Sequence, residues 1–274
     1  LFAGYPWFLN MVKEGQHGTP LLDRTMSTLA LPTLLDDLPF AQLRRLVFKA
    51  RAKAGFLNRY ALQYQIFGSA GAFEMISSEL RHQAQAGRAE YHDLITIDEL
   101  NIGSTIERVT GLCLRGYTNN QLLRDIDAVS MSHSLEVRVP YLDAVITDMA
   151  LSLPDETKLD STAAQADAPR TYRATGVKRI LIDVGRPLLP KDFDIQPKRG
   201  FAMPFDAWLR GDLREIFLDV LSETRVTRRG WFNPNLVTAI KKDFMDGRAS
   251  WPQPWLLMMT ELWATQVLDS GVGE

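Results

Sequence analysis

Apolar positions recur at helical rather than strand spacing along most of this chain. Leu1 to Pro39 is broken up by "AGYPW", "GQHGTP" and "LPTLLDDLP", which predicts short helices separated by loops. From Phe40 to about Glu90 the spacing of Leu43, Leu46 and Val47 predicts helix, with Arg44, Arg45, Lys49, Arg51 and Lys53 interleaved. Those cations read as a solvated helix face, with phosphate contact as the alternative. Tyr91 to Pro154 is the densest run of strong helix formers, and "DSTAAQADAPRT", residues 160–171, then cuts it as an exposed, mobile connector. "GVKRILIDVGRPLLP" predicts a helix with Ile180, Leu181 and Val184 inward that ends near Gly185. A Pro/Gly-rich loop over 195–204 precedes helices to about Leu268. No alternating strand series, internal repeat or Gly-rich dinucleotide fingerprint interrupts this pattern, so the expected fold class is mainly α.

Two stretches carry candidate chemistry. In "NNQLLRDIDAVSMSHSLEVRVPYLD", Asn119 or Asn120 is placed to cap a helix, and Leu122, Ile126, Val129 and His133 then share one face, expected to be core. Arg124, Asp127, Ala128 and Met131 point the other way, with Arg124 and Asp127 within reach as an i,i+3 pair. That pair reads either as a surface salt bridge or as a charged face turned toward a ligand. His133 reads as a hydrogen-bonded core histidine, because no second His or Cys stands at metal spacing. Glu136 and Arg138 flank Val137 ahead of Pro140, which is expected to end the helix, and they read as a structural pair at the turn.

The other stretch is "IQPKRGFAMPFDAWLRGDL", residues 195–213. Pro197 restrains the chain before Lys198, Gly200 permits an unusual backbone angle after Arg199, and Pro204 is placed to start a helix containing Trp208. Two cations on a restricted loop suit a phosphate-handling site, the lysine as a point charge and the arginine as a bidentate donor. A solvated Lys-Arg pair is the plainer alternative.

Composition narrows the classes further. The 274 residues are 46% apolar and 23% charged with a net charge of −2, an ordinary globular balance without the basic field that nucleic-acid binding requires. Cys113 is the single cysteine and cannot form an internal disulfide, which fits a reducing compartment and an expected cytoplasmic location. No apolar run approaches a membrane span, and no secretory signal pattern opens the chain. Because residue 1 is leucine inside a Phe/Gly/Tyr turn, the sequence reads as a piece with partner sequence upstream.

Taken in order, "LFAGY", "LLRDIDAVSMSHSLEVRVPYLD" and "PKRGFAMPFDAWLRG" resemble the synthetase domain of glutamine-hydrolysing asparagine synthetases, and the tail "RRGWFNPNLV…TELWATQVLD" resembles the end of the longer bacterial members. The resemblance implies that residues 1–274 are the helical C-terminal part of an α/β ATP pyrophosphatase domain whose parallel sheet lies mostly upstream. It implies a reaction in which ATP adenylates a carboxylate, most simply the aspartate side chain, and ammonia from a glutaminase domain displaces AMP. Lys198 matches the family lysine that contacts the phosphates and the acyl-adenylate, and is the expected catalytic residue. Arg199, Arg124, Asp125 and Asp127 are the expected substrate or nucleotide contacts.

Several family parts are missing from the sequence. The Ser-Gly-Gly-x-Asp-Ser nucleotide loop, the Gly-x-Gly-x-Asp-Glu segment and the N-terminal glutaminase cysteine are not present, so the ligands of Mg²⁺ are expected upstream and the isolated chain is expected to be inactive. Cys113 then reads as a small packing residue, while Glu136, Arg138 and Asp143 of the family signature read as fold-holding residues. ATP, aspartate and glutamine are the implied small-molecule partners, with no nucleic acid or membrane and with a homodimer as the candidate assembly. Two other readings stay open: amidation of another carboxylate in polysaccharide or peptide modification, and a non-catalytic helical interaction module.

Overall fold

Helix and turn dominate the described residues, which also include an isolated antiparallel bridge between Ile76 and Phe232. The computed structural model describes residues 1–17, 56, 60, 63–67, 69–81, 103–160, 162, 171–196 and 203–270. The chain divides into two units, Leu1–Thr25 with Glu90–Gly200, and Met26–Ala89 with Phe201–Glu274. The mainly α expectation holds for both. Of the connector at 160–171, only Asp160, Thr162 and Thr171 are described; the rest, like most of the helix expected over 40–90, lies outside the described residues.

In the first unit, Ser104 starts the long helical run. Its hydroxyl accepts from the Glu107 amide at 3.1 Å while the Glu107 carboxylate accepts from the Ser104 amide at 2.6 Å, a reciprocal capping box. The helix Thr105–Cys113 passes without a break into a π-helical stretch, Leu114–Leu122, and then into the helix Leu123–Met131. Asn119 and Asn120 therefore sit inside a continuing helix instead of capping a new one. Asn120 Nδ2 donates to the Arg115 carbonyl at 3.1 Å, so its polar group is spent locally. Phe8, Leu9 and Met11 of the helix Trp7–His17 and Ile106 and Val109 of Thr105–Cys113 are buried core, and the two helices pack together. The Cys113 side chain is buried in this core.

The helix Leu123–Met131 ends well before Pro140. Ser134 adopts a left-handed conformation (φ 56°), its amide donates to Met131, and the Leu135 amide donates to Ser130. That is a Schellman closure made by a serine where glycine is usual. Pro140 instead opens a 3₁₀ turn, Pro140–Leu142, after an extended stretch, and the Asp143 carboxylate caps the following helix Ala144–Ser152 by accepting from the Val145 amide at 3.0 Å.

The second unit has its own core. Leu209, Phe217, Val220, Val237, Phe244 and Leu257 pack from the helices Phe205–Arg210, Arg214–Val220, Pro234–Met245 and Pro252–Trp263. Pro204 does precede the helix containing Trp208, as its fixed φ allows. Pro234 and Pro252 open their helices at positions where a missing N–H costs nothing. The segment at 75–77 is laced to the turn that follows the helix Glu223–Arg229: the Ser77 amide donates to Trp231, the Asn233 amide to Met75, and the Ser77 hydroxyl to Gly230 at 2.6 Å.

Arg229 joins three parts of this unit. Its guanidinium donates to both Glu261 oxygens at 2.9 and 3.1 Å and to both Asp269 oxygens at 2.9 and 2.6 Å, and it lies 5.2 Å from the centre of the Trp231 ring. Hydrogen bonds to Asp269 and then Glu261 raise its pKa further above the ordinary arginine value. Glu261 is only 3% exposed, so removing Arg229 strands a buried charge. Arg229→Ala is expected to lower unfolding stability by about 3 kcal/mol or more, read by urea denaturation. A change within about 0.5 kcal/mol, the usual range for surface substitutions, would show that the cluster is solvated.

Candidate functional site

Arg124, Asp125 and Asp127 all lie exposed on the helix Leu123–Met131, and among the described residues no ion pair joins Arg124 to Asp127. The opposite face, expected as core, is not buried either. Ile126 and Val129 are exposed, Val129 at 64%, and no residue of this helix is buried. The spacing shared by Leu122, Ile126, Val129 and His133 defines a face on which Leu122 is half-buried and the other three are exposed. His133 is correspondingly exposed, with Nδ1 3.0 Å from the Val129 carbonyl and 2.9 Å from the Ser132 hydroxyl. Glu136 and Arg138 pair at 2.9 Å with both side chains in solvent. The apolar exposure continues through Leu135, Val137, Val139, Tyr141, Val145 and Met149.

Lys198 and Arg199 lie outside the described residues. The chain that leads to Lys198 is described as far as Gln196. After a left-handed Asp192 it makes the 3₁₀ turn Phe193–Ile195, and Gln196 is extended (φ −69°, ψ 145°), as the residue before a proline should be. Asp194 within this turn is 1% exposed. Arg173 grips it bidentately, Nε to Oδ2 at 2.9 Å and Nη2 to Oδ1 at 2.7 Å, and Arg186 adds Nη2 to Oδ2 at 3.4 Å. Asp192 and Asp183 complete the network, at 3.4 Å from Arg173 and 2.8 Å from Arg186. The hydrogen bonds from Arg173 outweigh desolvation and hold the Asp194 carboxyl below the usual aspartate range.

Sequence reasoning missed this cluster. Arg173, Asp183, Arg186 and Asp194 are separated by short helices and turns too brief to show periodicity, and a charged residue in a turn normally signals solvent. The helix Arg179–Gly185 does end at Gly185 as expected, yet its buried residue is Ile182, and Val184 is 58% exposed. The helix is anchored through its neighbours Lys178 and Arg186 as much as through its apolar side. A cavity of about 340 Å³ opens beside it, bordered by Asp160, Tyr172, Arg173, Arg179, Asp183 and Arg186. Arg173, Arg179 and Arg186 each already meet a carboxylate, so the cavity wall is a matched ion network.

Two lysines were likewise not foreseen. Lys158 is completely buried, and its ammonium donates to the Leu151 carbonyl at 3.4 Å, near the C-terminus of the helix Ala144–Ser152, where the partial negative charge of the helix end favours a cation. Lys178 has a left-handed backbone (φ 55°), and its ammonium is 5.8 Å from the centre of the Tyr172 ring. Its stem runs against Gly4, where a Cβ would come within 2.7 Å of the lysine Cε and the flexible lysine would have to shift. Among the described residues no group of three His, Cys, Asp or Glu is placed to hold a metal, and no helix is long and apolar enough to cross a membrane.

The lowered Asp194 pKa has a consequence for acid stability. A carboxyl whose folded pKa is depressed contributes stability that is complete above its unfolded value, about 3.9, and lost as pH falls through the folded value. Below about pH 4 the parent protein should therefore lose unfolding free energy more steeply than Asp194→Asn. Parallel acid limbs in denaturant titrations of the two proteins would contradict the assignment.

Comparison with known proteins places this architecture. The asparagine synthase family model matches residues 1–265. The chain is similar to asparagine synthetase [glutamine-hydrolyzing] 1 of Bacillus subtilis (strain 168), 23% identical over 205 residues that cover 74% of this chain and 30% of the relative. It is also similar to putative glutamine-hydrolyzing asparagine synthetases of Mycobacterium bovis and Mycobacterium tuberculosis, each 32% identical over 111 residues, or 40% of this chain and 15% of the relative. The matched part thus spans under a third of the length of these relatives. No solved structure matches the chain. With a match that runs through the first helix, the signature at 119–143 and the paired cations at 198–199, the chain belongs to the asparagine synthase family.

Proposed function

We propose that this chain is the helical part of an ATP-dependent amidotransferase that makes asparagine. The carrying observation is the family match across nearly the entire chain, which takes in Lys198 and the signature helix together. The names of the relatives favour aspartate as acceptor and glutamine as ammonia source. An aspartate carboxylate oxygen attacks the α-phosphorus of ATP, pyrophosphate leaves, and ammonia then attacks the acyl carbon and expels AMP. Lys198 acts where negative charge accumulates on the departing pyrophosphate, so it stabilises the transition state more than bound ATP. Arg199 assists at the phosphates, and Arg124, Asp125 and Asp127 line the acceptor side. Mg²⁺ and the nucleotide loop belong to sequence upstream, and the enzyme works as a homodimer in the cytoplasm.

The uncovered apolar positions from Ile126 to Met149 support the same reading. Exposed apolar side chains of this kind suit a face that another element covers, and the sheet of the complete synthetase domain is the element we propose.

In the full-length protein, Lys198→Ala should reduce aspartate-dependent ATP–pyrophosphate exchange by about 10²- to 10³-fold with the fold intact, the usual cost of removing one preorganised charge-stabilising group. Exchange at the parental rate would reject the catalytic role and favour a supporting helical module. Exchange driven by a different carboxylate, and not by aspartate, would redirect the acceptor.

A further inference from the structure

We infer that the last helical run of the second unit, Pro252–Trp263 continued by Ala264–Leu268, carries an apolar stripe through which two copies of this chain pair about a two-fold axis. The inference rests on the homodimer of the reading above and names its surface. Leu257, Met258, Glu261 and Ala264 face inward and are buried. Leu256, Met259, Trp263 and Val267 recur at helical spacing on the outer side and are between 40% and 54% exposed. A surface helix normally turns charged and polar residues away from its core, whereas a helix that is apolar on both sides suits burial on both. Charge points the same way. From Ala249 to Leu268 the sequence has one charged residue, Glu261, whose carboxylate is engaged inward by Arg229 at 2.9 and 3.1 Å. Few charges, with Trp and Met at the surface, is the composition of an interface core.

The occupant that fits this stripe is a second copy of it. A stripe without charge gives a charged partner nothing to read, and it meets itself without like-charge repulsion. Its bulk is similar toward both ends, with Leu256 and Val267 outermost and Met259 and Trp263 between them. In an antiparallel two-fold contact Leu256 meets Val267 of the other copy, and Met259 meets Trp263 as a sulfur–aromatic pair. Each contact then occurs twice, as an isologous interface requires. Four large side chains about half exposed present on the order of 350 Å² of apolar surface per copy, the size of a functional patch on a monomer. With Thr260 and Gln266 at its rim, such a core suits the low end of specific interfaces, near about 1,200 Å² in total, and the dimer is therefore reversible. Arg229 holds the run from the inner side, through Glu261 and through Asp269 just past its end. The stripe is thus presented rigidly, with little ordering cost on association.

The test is sedimentation velocity on the full-length protein over a micromolar concentration series, with circular dichroism as the check of folding. The parent should dimerise, and Trp263→Asp should raise the dissociation constant by about 30-fold or more, the effect of losing one central aromatic anchor. Val184→Asp puts the same charge on an exposed apolar residue of the first unit and should leave the dimer as it is. A folded Trp263→Asp protein with the parental dissociation constant would overturn the inference while the homodimer stands. A parent that is monomeric throughout would overturn both, with the amidotransferase reading still decided by the exchange assay. Lower stability of Trp263→Asp without any change of assembly would show that the rest of the full-length protein covers the stripe, and would equally overturn the inference. Should Trp263→Asp fail to fold, the same loss of dimer is required of Met259→Lys, at a second exposed position of the stripe.

Discussion

The contact between the Asp194 carboxylate and the Arg173 guanidinium organises the turn Phe193–Ile195 and the short helix Tyr172–Thr175. It is a charge-assisted, bidentate pair whose anion is withdrawn from water, and it connects the turn Phe193–Ile195 to the helix Tyr172–Thr175 across the intervening helix Arg179–Gly185. Burying such a pair gives little net stability compared with apolar packing of the same volume. Its value is geometric. The network with Arg186, Asp183 and Asp192 leaves the turn Phe193–Ile195 few arrangements.

The second constraint is a run of exposed apolar side chains. The helix Leu123–Met131 and the extended stretch after it present Val129, Met131, Leu135, Val137 and Tyr141 to solvent, beside the charged Arg124, Asp125 and Asp127. An isolated globular domain would bury such a run. The chain matches less than a third of the length of its relatives. The capping box at Ser104 and the Schellman closure at Ser134 show that the helical run is locally well specified even where its face is uncovered.

Legibility from sequence followed the same division. Helical periodicity, the stop at Gly185 and the start after Pro204 were readable because each follows from backbone restrictions of single residues. The helix end at Ser134 was not, since a serine seldom takes the left-handed conformation and Pro140 gave a stronger but misplaced stop signal. The face of Ile126 and Val129 was recognised as a face, yet periodicity cannot say whether its partner is in the same chain. For the candidate site, three of the five expected residues are described and exposed on one helix, while Lys198 and Arg199 are outside the described residues. Burial of Lys158 and Asp194 depends on long-range packing and a helix terminus, which no local pattern reports.

The central chemical claim is that a carboxylate oxygen of the acceptor attacks the α-phosphorus of ATP. Aspartate labelled with ¹⁸O in its side-chain carboxylate, supplied to the full-length enzyme with ATP and glutamine, tests this directly by mass spectrometry of the products. The account predicts AMP carrying one labelled oxygen per turnover and unlabelled pyrophosphate. Label appearing in inorganic phosphate, or AMP formed without label, would contradict it.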